Sequence, residues 1–136
     1  MGEKRTVLIV DDSKQVRADV AAALQDRFKI LRAASAESAL HVLALHDEVV
    51  LVISDTTLPH AKSVVAFHVE ATARGYGGGW VFMFDRVGET TSAYISAVRP
   101  NPTIIQKPFA AEEVRDVATG ALAMSYRRLL AQRAHG

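Results

Sequence analysis

A chain of 136 residues, 49% apolar and 23% charged, has the size and mixture of one globular domain and not of a disordered or collagen-like polymer. A net charge of +1 gives no field that would make nucleic acid or an anionic membrane the expected partner, and the lack of cysteine excludes a disulfide scaffold, a thiolate metal site and a cysteine nucleophile. The first apolar run, Val7 to Val10, ends in two aspartates and is too short for a signal or membrane-spanning segment, so a cytoplasmic location is the default expectation.

Apolar runs rich in β-branched residues alternate with helical patterns along the whole chain. The first run, 6–10, precedes a helix whose apolar face is Val16, Val20 and Leu24 and whose N-cap is Ser13. The second run, 28–33, precedes a helix with Ala36, Ala39, Leu40 and Leu43 on one stripe behind Ser35. The third, 49–54, leads to a helix predicted over 60–74, which ends at the turn Gly75-Tyr76-Gly77-Gly78-Gly79. The fourth, 80–84, leads to a helix over 89–98 that stops at Arg99-Pro100. The fifth, 103–106, leads to a last helix over 112–134. Most runs are continuous, as in strands covered on both faces.

Five βα units with right-handed crossovers predict an α/β, flavodoxin-like, doubly wound parallel sheet in the order 2-1-3-4-5. Two helices are expected on one face and three on the other. The whole of 1–136 reads as one domain. The last helix would be about 35 Å long at 1.5 Å per residue, against a sheet of roughly 17–20 Å, so its distal part should overhang. That part carries Leu122, Tyr126, Leu129 and Leu130 with Arg127, Arg128 and Arg133 between them. It is expected to pack on a partner or on a second copy as a homodimer, and a chain ending after Ala121 is expected to keep the fold.

In open parallel sheets function gathers beyond the carboxyl ends of the strands. There the chain places Asp11 and Asp12 after the first strand, Asp55 after the third, Asp85 after the fourth and Lys107-Pro108 after the fifth. Carboxylates crowded together raise one another's pKa unless a hard divalent cation sits among them, and magnesium suits carboxylate, water and phosphate oxygens. The glycine-rich stretch lies before a strand, at the opposite edge, and reads as a turn and not a phosphate loop. His41 and His46 lack helical metal-pair spacing, and with His68 they are assigned no function.

VLIVDDS at 7–13, LVISDTTLP at 51–59 and QKPF at 106–109, in this order, resemble the receiver domains of two-component response regulators. The resemblance implies that Asp55 is the phosphoryl acceptor and that Asp12, Asp55 and the carbonyl of Thr57 ligate Mg2+, with Asp11 acting through a coordinated water. It further implies that Lys107 pairs with Asp55 and then with the phosphoryl group, aimed by a cis Lys107–Pro108 bond. The phosphoryl donor would be a histidine kinase or phosphotransfer protein, and the output a contact with a downstream protein. Such a chain is no enzyme beyond its own phosphoryl transfer and dephosphorylation. No nucleic acid or membrane partner is implied.

This chain departs from the family pattern in two places. Asp85, followed by Arg86, stands where the family has Ser or Thr before a small residue, and Ile104 stands where it has an aromatic switch residue. His60 and Ser63 fall near positions often held by glycine. The alternative reading is therefore a degenerate pseudo-receiver that acts as an interaction module without phosphorylation. A phosphatase would want a second aspartate at Thr57, and a flavodoxin-like carrier a hydroxyl-rich loop where Asp11 and Asp12 stand.

Overall fold

The computed structural model describes residues 4–58, 63–85, 93, 96–99 and 101–135, with side chains described as far as 131. Five strands, β1 (Arg5–Val10), β2 (Phe28–Ala33), β3 (Val49–Asp55), β4 (Gly79–Phe84) and β5 (Thr103–Gln106), form one sheet in the order β2-β1-β3-β4-β5. Every neighbouring pair is parallel, as the sequence predicts.

Alternation along the strands sorts the core into two layers, because successive side chains point to opposite faces. Leu8, Val10, Val52 and Phe82 turn to the side covered by α2 (Ala36–Leu45) and α3 (Val64–Ala73). Val7, Ile9, Leu51, Ile53, Val81 and Met83 turn to the side covered by α1 (Lys14–Leu24) and the C-terminal helix (Ala111–His135). Both faces are buried, which is why the strands read as continuous apolar runs. The predicted fourth helix, 89–98, lies mostly outside the described residues; Val98 is buried in the α2–α3 layer.

The helix starts follow local capping chemistry. Ser13 accepts from the amide of Val16, and Ser35 from that of Ser38 in a reciprocal capping box, each such cap being worth about 1 kcal/mol. The third helix corrects the sequence reading: it begins at Val64, capped by Ser63, and not at 60. Ser63 is held in extended backbone by an antiparallel bridge to Thr57, and the Val64 amide donates to the Thr56 carbonyl. α3 ends on Gly75, whose φ of +107° suits glycine and lets the amides of Gly75 and Tyr76 reach the carbonyls of Thr72 and Ala71.

The C-terminal helix also corrects an expectation. Leu122 is half-buried against the α1-side core and Ser125 is buried, so the sheet-facing stripe stays covered as far as Ser125. Ending the chain after Ala121 would strip these contacts. Tyr126, Leu129 and Leu130 beyond them are exposed. Among the described residues no helix is long and apolar enough to cross a membrane.

Candidate functional site

Parallel strands deliver their carboxyl ends to one edge, and the charged residues that follow β1 and β5 meet there with Asp55, the last residue of β3. One oxygen from each of Asp11, Asp12 and Asp55 lies within 4.8 Å of the others. Asp11 is 1% and Asp55 7% exposed, whereas Asp12 opens to solvent. Lys107 Nζ donates to Asp11 Oδ2 at 2.8 Å and to Asp55 Oδ1 at 3.2 Å. Its amide donates to the Phe84 carbonyl at 2.7 Å, and the Lys107–Pro108 peptide is cis.

The two buried carboxylates are held differently. Asp11 Oδ1 accepts from the Ser13 amide at 2.9 Å, so both of its oxygens have partners. Asp55 Oδ1 accepts from the Thr56 amide at 3.0 Å as well as from Lys107. Among the described residues nothing donates to Asp55 Oδ2. The Asp55 side chain as a whole keeps 11% of its surface exposed.

Burial, and then the charge of Asp11, push the Asp55 carboxyl above its ordinary range, while Lys107 and the Thr56 amide pull it part of the way back. Burial pulls the Lys107 amine down, but its hydrogen bond to Asp11 and the charges of both carboxylates outweigh this, and the net direction is up. Lys107 is thus held as an ammonium. Three carboxylates still face one ammonium. Hard oxygen donors gathered this closely suit a magnesium ion, whose ligands at about 2.0–2.1 Å stand roughly 4 Å apart across the ion. The residues present therefore fit Mg2+.

Of the other residues predicted for the site, Thr57 follows Asp55 by two and pairs with Ser63 in an antiparallel bridge. Asp85 follows β4 at the same edge but is exposed and lies outside the group formed by Asp11, Asp12 and Asp55. Ile104 is half-buried against the α2–α3 core. Sequence reasoning missed Arg17, whose guanidinium donates to the Asp11 carbonyl at 2.7 Å and pins the β1–α1 turn. The available signal was its place on the first turn of α1, directly after the acidic pair.

Neither a scan against protein-family models nor a search of curated proteins finds a match. Solved structures do match. CheY4, a chemotaxis protein of Vibrio cholerae, superposes with a TM-score of 0.80 at 23% identity, covering 88% of this chain and 100% of its own. A CheY-like response regulator receiver domain protein of Methanospirillum hungatei gives 0.78 at 18% identity, covering 93% and 99%. NtrX of Brucella abortus gives 0.81 at 26% identity, with 97% of this chain matched to 30% of that longer one. The chain therefore has the fold of CheY-like response-regulator receiver domains.

Proposed function

We propose that residues 1–136 act as a single receiver domain that takes a phosphoryl group on Asp55 and signals by protein contact. The observation that carries this reading is the Asp55 carboxylate, anchored through Oδ1 by Lys107 and the Thr56 amide at the edge where Asp11 and Asp12 gather, while no described residue donates to Oδ2. Oδ2 attacks the phosphorus of a phosphohistidine on a kinase or phosphotransfer protein; the O–P bond forms as the P–N bond breaks, and the leaving imidazole takes a proton from solvent. Protein groups mainly supply position and charge in such a transfer. Lys107 moves from pairing the carboxylates to pairing the phosphoryl oxygens. Asp12, Asp55 and the Thr57 carbonyl would hold magnesium directly and Asp11 through water. Bound magnesium offsets the negative charge of carboxylates and phosphoryl group.

The departures at Asp85 and Ile104 favour a second reading, an interaction module that is never phosphorylated. Intact-mass measurement after incubation with Mg2+ and acetyl phosphate separates the two. The first reading expects an adduct of about 80 Da, the mass added by one phosphorylation, that is lost in Asp55→Asn. An unmodified wild-type chain under these conditions leaves the second.

A further inference from the structure

The turn from β1 into α1 carries two of the three clustered carboxylates, and the two are fixed to different degrees. Asp11 is gripped at each of its polar atoms. Its amide donates to the Ala33 carbonyl at 3.1 Å and its carbonyl accepts from the Arg17 guanidinium at 2.7 Å. Its carboxylate oxygens accept from the Ser13 amide and from Lys107. Asp12 is exposed, and among the described residues no group bonds its side chain. The backbone that carries Asp12 therefore decides where its carboxylate can point, because the accessible rotamers depend on φ and ψ.

That backbone starts at the peptide joining Asp11 to Asp12, whose oxygen is the one Arg17 holds. Among the described residues no other hydrogen bond reaches this peptide. A peptide is planar, so a fixed oxygen orients the whole plane and with it the entry into Asp12. Arg17 is itself half-buried and tied to the same turn, since its amide donates to the Ser13 carbonyl at 3.1 Å. Its side chain folds back from the first turn of α1 onto the strand end. Arginine that serves a carboxylate site as a charge commonly pairs with the carboxylates, often through two parallel hydrogen bonds. Among the described residues Arg17 pairs with none of the three; Lys107 is the cation that does so. Lys107 compensates charge, and Arg17 holds a neutral carbonyl. The two roles have opposite consequences for a divalent cation: a positive charge near the cluster repels it, whereas a brace that presets a ligand favours it.

We propose that Arg17 is a positioning residue of the metal site: by holding the Asp11–Asp12 peptide it presets Asp12 to bind a magnesium ion together with Asp55. The proposal rests on reading the acidic cluster as a magnesium site, but not on phosphorylation of Asp55. Titration of the metal-free full chain with Mg2+ at fixed pH, followed by the amide NMR resonances of the β1–α1 turn, gives the affinity of the folded protein. Arg17→Met keeps an unbranched stem and removes the charge and every donor. It should weaken Mg2+ binding about tenfold, the low end of what losing a group that supports a metal ligand costs. Arg17→Lys keeps the charge and an N–H donor on a shorter side chain and should recover part of that loss. Thermal melting in EDTA separates positioning from stability. A lower melting temperature for Arg17→Met with unchanged Mg2+ affinity makes the arginine merely structural and overturns the proposal. Tighter Mg2+ binding by Arg17→Met, the sign of a charge acting alone, overturns it too. A wild-type chain that binds no Mg2+ overturns both this proposal and the magnesium reading. Binding that depends on Arg17, in a chain that acetyl phosphate leaves unmodified, upholds the proposal and removes only the phosphoryl-acceptor reading.

Discussion

Asp11 has both oxygens engaged, one by the Ser13 amide and one by Lys107, whereas among the described residues nothing donates to Asp55 Oδ2. On the proposed reading the first braces and the second reacts. Exposed Asp85 acts on that reaction only through solvent. A carboxylate about 5 Å from a unit of phosphoryl charge repels it by roughly 3 kcal/mol at an effective dielectric near 20, but by only about 0.8 kcal/mol in water. Exposure puts Asp85 near the second figure, which is still roughly a fourfold effect on occupancy. Asp85→Thr should therefore raise the phosphorylated fraction and its lifetime several-fold at fixed Mg2+ and acetyl phosphate, followed by intact mass over time; equal or lower values mean that Asp85 turns away or supports the site. A different residue governs acid tolerance. The buried ring of His68 lies 4.7 Å from that of Trp80, and burial holds its pKa below the ordinary 6.5. The unfolded chain then takes up the proton more readily, so this contribution to stability is whole above pH 6.5 and is lost as pH falls from there through the folded value. His68→Phe keeps a ring against Trp80 and should lose less Tm than wild type between about pH 7 and about pH 5. Parallel losses in the two proteins would assign the acid sensitivity elsewhere.

The turn before β4 shows how one glycine-rich element divides its labour. Gly77 has open space around the position of a Cβ, whereas a Cβ on Gly78 would come within 2.7 Å of the Val50 carbonyl oxygen and collide with the Tyr76 ring. Tyr76 cannot readily give way, because its hydroxyl donates to the Gly79 carbonyl at 2.8 Å and burial pushes its pKa far up. Gly78→Ala should cost about 1–3 kcal/mol, as overpacking does, while Gly77→Ala should be neutral or slightly stabilising through the unfolded chain. Thermal melts of the two variants check this, and equal Tm values would remove the packing argument. The sequence shows this segment as a turn but not which glycine is indispensable, since the Val50 carbonyl comes from another strand. The same division holds elsewhere. Continuous apolar runs and serine caps are local signals, so the five strands, their order and the starts of α1 and α2 are legible. The start of α3 depends on the Thr57–Ser63 bridge, and the last covered residue of the C-terminal helix on the start of β4 beneath Ser125. Neither is written in its own segment. At the site, strand ends place Asp11, Asp12, Asp55 and Lys107 without a structure; that Lys107 lies nearer Asp11 than Asp55 is decided by packing.

Asp11, Asp55 and Lys107 come from distant parts of the chain and meet only when β1, β3 and β5 share a sheet, so their electrostatics bear on the fold as a whole. Two buried carboxylates share one ammonium, and burial together with the Asp11 charge disfavours the ionised form of Asp55. Without metal at neutral pH, folding works against that term. Asp55→Asn removes the charge and nearly keeps the shape, while Lys107 retains Asp11. The metal-free variant should therefore melt above metal-free wild type. The sign with pH follows from a folded pKa raised above the ordinary 3.8: the wild-type deficit is whole above the folded value, shrinks as pH falls through it, and vanishes below the unfolded value, so the two Tm curves should converge on acidification. Magnesium acts in the other direction. An ion that binds only the folded chain adds about 2.7 kcal/mol at a hundredfold excess over its Kd, and wild type, with all three carboxylates, should gain more Tm than Asp55→Asn. Scanning calorimetry of both proteins in EDTA and in excess Mg2+ reads all of this at once. Equal gains on adding magnesium would exclude Asp55 as a ligand. A variant less stable than wild type in EDTA would show that the hydrogen bonds of Asp55 to Lys107 and Thr56 outweigh the cost of burying its charge.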